Sequence, residues 1–386
     1  MTPGARVAVA IEILTDMADG MAAEQALSRW SRRSRFAGSK DRAAVRDHVF
    51  DALRQWRSAA QAGGSDTPRG VMIGLMRLQG ADLETLFDGA GYAPAPLTEE
   101  EATPPAPPQD RGVRWDMPDW LLPHLDRSLG PKAEATALAL RDRAPVTLRV
   151  NTARTTLEQA RADLQADGIK TAPNTLADEA LTITQGPRKL RGSSVYLDGR
   201  VELQDAASQA VVVALPSGGK VLDYCAGGGG KALALAMDPD RRVFAHDIDP
   251  RRMSDLPGRA DRAGATVTQI DTPDIAQHAP FDLVLCDAPC SGSGAWRRAP
   301  EGKWLLTPER LAALATIQDT ILDDAVRLTA PGGVIAYATC SVLDTENEAR
   351  IDAFHARHPG WQTCMTRRFD VSDEGDGFFL SQLKRE

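Results

Sequence analysis

The chain of 386 residues has no long apolar run. It starts Met-Thr-Pro-Gly-Ala-Arg and enters a mixed polar and apolar pattern, unlike the unbroken apolar core of a signal peptide. No segment is long and apolar enough to span a membrane. A cytoplasmic protein with no membrane partner is therefore expected. Cysteine is scarce: Cys225, Cys286, Cys290, Cys340 and Cys364. An odd count without a secretion signal argues against a disulfide framework. The absence of Cys-x-x-Cys spacing excludes the usual structural zinc site, so no metal is expected. There is no internal repeat. An excess of positive charge is also missing, since the formal net charge is -8. That counts mildly against nucleic acid as a partner. Local patches matter more than the total, however. Arg29, Arg32, Arg33, Arg35, Lys40, Arg42 and Arg46 form one near the N-terminus. It reads either as a solvated helix face or as an RNA contact.

The chain is long enough for two or three domains, and 42% hydrophobic and 25% charged residues supply an ordinary globular core. Residues 5 to about 90 read as helices. Val7, Ala10, Ile11, Leu14 and Met17 recur at helical spacing, as do Val45, Val49, Phe50 and Leu53. Ser39 is the expected N-cap of the second run. Proline at high density over residues 93–109 predicts an extended, semi-rigid linker. Domain boundaries follow: helices over 1–92, a linker over 93–110, a small α+β unit over 111–215 and a last domain over 216–386. In the small unit, Val146–Val150, Leu181–Thr184 and Ser194–Leu197 read as strands. Thr156–Asp167 reads as a helix ended by Gly168. A further helix over Ser208–Leu215 leads into the last domain.

From residue 219 onward strands and helices alternate. Val221–Tyr224, Arg242–His246, Thr266–Ile270, Phe281–Cys286 and Gly333–Ala338 are short apolar runs, and the longest helix spans Pro308–Leu328. Such alternation predicts a mostly parallel sheet with helices on both faces. Its ligands bind at the carboxyl ends of the strands.

Three motifs fall at those ends. Asp223-Tyr-Cys225-Ala226-Gly227-Gly228-Gly229-Gly230-Lys231 follows one strand and opens a helix. Consecutive glycines let backbone approach a ligand closely, and the helix start offers free amides. Asp247 ends the second strand, where a carboxylate suits a ribose diol. Asp271, after the third strand, is placed either to hold an adenine or merely to end a strand. These features fit a nucleoside cofactor, with NAD and S-adenosylmethionine both admissible at this point. Next come Asp287-Ala-Pro-Cys290-Ser-Gly-Ser-Gly294 and, after a further strand, Thr339-Cys340-Ser341, followed by Glu346, Asn347 and Glu348. Two cysteines at the ends of neighbouring strands point to thiol chemistry in one pocket; two buried structural cysteines are the competing reading. Arg297, Arg298, Lys303 and Trp304 are placed either to meet phosphate and a stacked base or to lie in a solvated loop.

In this order, Cys-Ala-Gly-Gly-Gly-Gly-Lys, Asp-Ala-Pro-Cys-Ser-Gly and Thr-Cys-Ser resemble the RsmB/Sun (Nop/Sun) family of RNA cytosine-5 methyltransferases. The resemblance runs from about Pro145 to the C-terminus. It takes in Leu148-Arg-Val-Asn151, Gln204-Asp-Ala-Ala-Ser-Gln209 and Asp376-Gly-Phe-Phe379. The first seventy or so residues more loosely resemble the NusB-like helical domain of the RsmB branch. The resemblance implies a Rossmann-like class I methyltransferase fold, with a mostly parallel seven-stranded sheet preceded by a small α+β domain and an all-helical domain. It implies S-adenosylmethionine as cofactor, RNA (ribosomal, of the small subunit) as partner, and a monomer. Cys225 to Lys231, Asp247, Asp271 and Asp287 would surround the cofactor. Cys340 would be the nucleophile and Cys290 the residue that releases product, with Lys231 and Asp287 touching the base. One departure stands out: Gly227 and Gly228 occupy places where the family has alanine and then proline. Other readings of the same residues are a DNA cytosine-5 methyltransferase attacking through Cys290, and a non-catalytic RNA-binding or assembly factor. An NAD enzyme would leave both cysteine motifs unexplained.

Overall fold

The computed structural model describes residues 1–385, which form two compact units. The first comprises residues 1–126, 130–143 and 296–305. Five of its helices span Pro3–Ala18, Ala23–Arg33, Ser39–Arg54, Trp56–Gly63 and Pro68–Leu78. The helical periodicity places Val7, Ala10, Leu14, Val45, Val49, Phe50 and Leu53 in one buried core, with Ile11 and Met17 packed at its margin. Ser39 is not the cap of its helix. Gly38 is, and no side chain bonds the helix start.

The proline-rich stretch is no free spacer. Arg69 donates to the carbonyls of Ala95 and Pro96 and to the carboxylate of Glu101. A capping box of Thr98 and Glu101 starts a short helix over Glu99–Ala102. Proline sets the local backbone, but the half-buried Arg69 and its ion pair dock it on the helices.

The basic cluster divides. Arg32, Arg33, Arg35 and Lys40 are exposed beside Phe36, itself 78% exposed. Arg29 and Arg46 pair with Asp16 and Glu24, and Arg42 donates to the Ala37 carbonyl.

The second unit holds two sheets. Strands β1 (Thr147–Val150), β2 (Lys170–Pro173), β3 (Ala180–Gln185) and β4 (Val201–Leu203) form an antiparallel sheet in the order β2-β3-β1-β4. Thr156 caps the helix Leu157–Ala166 that packs on it. Ser194–Leu197 is a helical turn, not a strand. The Ser193 hydroxyl accepts the Tyr196 amide and starts the turn, which overrides the β-preference of valine and tyrosine.

The larger sheet contains β5 (Gly219–Asp223), β6 (Arg241–Ala245), β7 (Val267–Gln269), β8 (Phe281–Asp287), β9 (Thr329–Thr339), β10 (Trp361–Phe369) and β11 (Phe378–Arg385). Their order is β10-β11-β9-β8-β5-β6-β7. The first five run parallel, and β11 and β10 add an antiparallel edge. This is the expected Rossmann-like α/β fold of seven strands. Apolar runs such as Leu283, Val284 and Leu285 are buried because helices cover both faces. From β5 the chain builds outward to β6 and β7, then returns to add β8 and β9 on the other side. The strand order reverses beside β5, so a crevice opens at the carboxyl ends of β5 and β8.

Candidate active site

Four neighbouring strands each end in, or just before, an aspartate. Asp223 closes β5, Asp247 follows β6, Asp271 follows β7 and Asp287 closes β8. Register pairs Asp223 with Ala245 of β6 and Leu285 of β8, so these ends lie side by side.

Asp247 is buried and organises the glycine loop. It accepts the amides of Gly227 (2.9 Å) and Asp249 (3.0 Å) and pairs with Arg252 (3.0 Å). Gly227 has φ of 52°, a left-handed conformation that glycine adopts freely. A side chain there would approach the Arg252 guanidinium to 3.1 Å. Arg259 donates to the Gly228 carbonyl. The loop lacks the family's proline but is braced by an acid and two arginines. Arg149 of β1 and Gln204 both donate to the Gly230 carbonyl, at 3.0 and 3.3 Å. The Leu-Arg-Val-Asn segment therefore supports the loop from behind. Cys225 lies in the loop as a thiol that burial holds in its protonated form. Asp271 is exposed, and its side chain makes no capping bond.

Asp223 was not singled out from the sequence as a ligand, and its surroundings make it a candidate. Its side chain is fully buried, no donor meets either carboxylate oxygen in good hydrogen-bond geometry, and the nearby Ala232 amide offsets only part of the cost. Burial, then the charge of Asp287, pushes its pKa up to about 7. An orphaned buried carboxylate is costly unless a ligand satisfies it. Four carboxylates at one crevice suit a cofactor bearing ammonium and sulfonium charges. They would repel the pyrophosphate of NAD. The residues present thus fit S-adenosylmethionine. Among the described residues no group of three histidine, cysteine or acidic side chains is arranged to hold a metal ion.

Lys231, the first charged residue of the helix after the glycines, is buried and donates to Asp287 at 2.7 Å. Burial opposes its charge, but the adjacent Asp287 outweighs this and holds its pKa above the ordinary value. The Phe378 ring lies 5.1 Å from its ammonium. Beyond Asp287, Pro289 leads to Cys290, and β9 ends at Cys340. Because β8 and β9 are paired neighbours, the two sulfurs come within 3.5 Å. Contact with Cys340, then burial, keeps the Cys290 thiol protonated well above its ordinary range. Cys286 is a different case: it is buried in the core below the site, protonated and structural. Cys364 is exposed on β10. The Ser/Gly loop after Cys290 crosses the turn before β11 at Gly294 and Gly377. Their backbones are hydrogen-bonded, and a side chain on Gly294 would lie 2.1 Å from the Gly377 carbonyl.

The downstream residues, read either as nucleic-acid contacts or as a solvated loop, do something else. Trp296–Leu305 belongs to the helical unit. Lys303 is fully buried and donates to the Arg54 carbonyl, and Trp304 donates to that of Leu53. They satisfy open carbonyls at the end of the helix Ser39–Arg54. The buried Arg54 donates in return to the Arg297 carbonyl, and Glu301 accepts the Ala23 amide at the start of another helix. Lys303 and Trp304 are thus helix-end partners rather than phosphate and base contacts. Arg298 alone of the four is exposed.

Residues 210–384 match the family model described as 16S rRNA methyltransferase RsmB/F. Residues 117–188 match the ferredoxin-like domain of RsmF/B-like methyltransferases. The ribosomal RNA small subunit methyltransferase B of Citrobacter koseri is 36% identical over 287 residues, covering 70% of this chain and 67% of that one. Among solved structures, PH0851 covers 100% of this chain and 99% of its own, with TM-score 0.74 and 22% identity. NSun6 from Pyrococcus horikoshii, solved with SFG, covers 69% and 98% with TM-score 0.61 and 18% identity.

Proposed function

Since the chain belongs to the RsmB/F family of ribosomal RNA small-subunit methyltransferases, we propose that it transfers a methyl group from S-adenosylmethionine to carbon 5 of a cytosine in that RNA. The observation that carries this reading is the pairing of Cys290 and Cys340, 3.5 Å apart, on the strand ends next to the Lys231–Asp287 ion pair. The cofactor supplies an electrophilic methyl group on a sulfonium. Asp223 would take its ammonium, Asp247 and Asp271 its nucleoside, and the glycine loop would let it approach the backbone.

Carbon 5 of cytosine is a poor nucleophile. Cys340 is proposed to add to carbon 6 as a thiolate, its thiol proton having passed to solvent, which shifts the ring's electron pair toward carbon 5. This is covalent catalysis, splitting one hard step into easier ones. Asp287, held by Lys231 on one oxygen, keeps the other for ring nitrogen 3, and the pair shares the proton needed there. After methyl transfer, a base removes the carbon 5 proton. The bond between carbon 6 and sulfur then breaks and its electrons return to Cys340. Cys290, touching Cys340, assists this release. The target base must be unstacked to enter.

Trapping decides between the cysteines. Cys290→Ala is expected to accumulate a covalent RNA–protein adduct visible as a retarded band in denaturing gels, and Cys340→Ala to form none. The reverse pattern would assign the attack to Cys290. Bisulfite mapping of ribosomal RNA from a deletion strain against its parent then locates the cytosine.

A further inference from the structure

Behind the two cysteines lies a buried polar cluster that the chemistry above does not use. Glu346, fully buried just after β9, is its centre. One carboxylate oxygen accepts the Ser291 amide at 2.7 Å and the Gln318 side-chain amide at 3.2 Å. The other accepts the hydroxyls of Ser291 and Ser341, each at 2.5 Å. Ser291 directly follows Cys290, and Ser341 directly follows Cys340. We propose that Glu346 is a positioning residue: one carboxylate fixes the residue after each cysteine and so sets the spacing of the two sulfurs. The proposal rests on the reading that these cysteines act as a pair in one site.

Neighbouring bonds leave little slack. The Ser293 hydroxyl lies 2.9 Å from that of Ser341 and accepts the Val342 amide at 3.0 Å. Gln318 also donates to the Pro289 carbonyl, one residue before Cys290. Asn347 donates to the Ser341 carbonyl and accepts from Thr339, on both sides of Cys340. The Tyr337 hydroxyl, from within β9, donates to the backbone of Glu346 itself. Each cysteine is thus held at both flanks by groups that converge on residues 346 and 347. All four side-chain contacts of Glu346 are neutral donors, so each hydrogen bond to its charge is of the strong, short kind. A carboxylate is the side chain that can accept all four; a glutamine amide accepts on one atom only.

The hydrogen bonds of the Glu346 carboxylate run to the residues that flank the two cysteines and to Gln318. The test reads geometry and turnover separately. Phenylarsine oxide bonds two thiols lying side by side, its oxygen leaving as water. Mass spectrometry of the intact full chain counts the bridge across Cys290 and Cys340. Glu346→Gln is expected to retain its cofactor Kd and its KM for RNA while bridging rate and kcat both fall roughly tenfold or more, as misplacement of reacting groups by a fraction of an ångström does. Glu346→Gln that bridges at the wild-type rate with unchanged kcat overturns the proposal. Should that variant not fold, Ser291→Ala and Ser341→Ala each remove one donor and keep the carboxylate. Smaller losses in the same two readouts are expected, and wild-type bridging in both overturns the clamp. If the wild-type chain transfers no methyl group to RNA, the proposed function falls, while the bridging measurement still tests the clamp.

Discussion

Asp223 carries a consequence for cofactor binding that follows from its burial. The unfolded chain titrates an aspartate near 3.9. In the folded chain burial and the nearby Asp287 move Asp223 up to about 7. Its folded pKa is raised, so the folded state gains a proton between these values, and Asp223's contribution to stability declines as pH rises through about 7. The ammonium of a cofactor held as proposed would reverse the preference, since it favours the carboxylate. Binding therefore releases a proton, and affinity for S-adenosylmethionine is expected to rise several-fold between about pH 6 and about pH 7.5. Titration calorimetry in two buffers of different ionisation enthalpy checks it. Asp223→Asn should bind more weakly and show a flatter profile over the same range. A pH-independent wild-type Kd would remove Asp223 from the cofactor's shell. The sequence displayed this aspartate as the first letter of the glycine motif but gave no sign of its missing partners. A missing hydrogen bond is a property of three dimensions. Cys340, Cys290 and Asp287 stood out because each sits at or just past the end of a short apolar run, and Lys231 because it follows the glycines. Glu346 was visible only as a residue beyond the Thr-Cys-Ser motif; its role was not, because its donors come from residues 291, 318 and 341, and no local spacing links them.

The parallel strands were legible as elements because apolar runs of about five residues, separated by helical stretches, admit few other structures. Ser194–Leu197 misled because four residues are too short to show a period, and the cap at Ser193 decided the outcome. The segment Trp296–Leu305 left two readings open for another reason. A lysine and a tryptophan after a flexible loop fit a nucleic-acid contact or a solvated loop, yet here they serve helix ends in the first unit. The burial of Lys303 makes this testable. Burial pushes its pKa down to about 7; Asp116 opposes the shift, and Arg141 and Arg54 add to it. Asp116 is itself buried and hydrogen-bonded to Ser58 and Arg141. The unfolded chain keeps the lysine near 10.4. Between about pH 7 and pH 10 the unfolded state thus binds the extra proton, and resistance to unfolding rises with pH through Lys303. Lys303→Met has no such group. The wild-type melting temperature minus that of the variant should grow from about pH 7 to about pH 9, measured by calorimetry. Parallel curves would mean that Lys303 is charged in the folded chain.

At the scale of the molecule, the chain leaves its second unit after Ala295, contributes ten residues to the first, and returns at Leu306. The resemblance to known methyltransferases made the larger sheet and its motifs legible, and helical periodicity did the same for the first core. Nothing in the sequence announced that a stretch six residues beyond Cys290 folds with the N-terminal helices. Its contacts are with Ala23, Leu53 and Arg54, more than 240 positions away. Such long-range pairing leaves no local pattern. It does predict what removal of the helices does. A chain beginning at residue 144 keeps both sheets, the glycine loop and both cysteines. It strips Trp296 and Lys303 of the partners that bury them. An ammonium and an indole left without a core return to solvent, and the backbone between them loses its fixed hydrogen bonds. Limited proteolysis of the shortened chain is expected to cut first within 296–305, at Arg297, Arg298 or Lys303 with trypsin, whereas the full chain resists there. Cofactor affinity should change little, because Asp223, Asp247 and the glycine loop lie wholly in the second unit. The loop that carries Cys290 keeps its bonds to Glu346, Gln318 and Gly377 within the second unit. A shortened chain with an uncut 296–305 would show that this stretch folds without the helices.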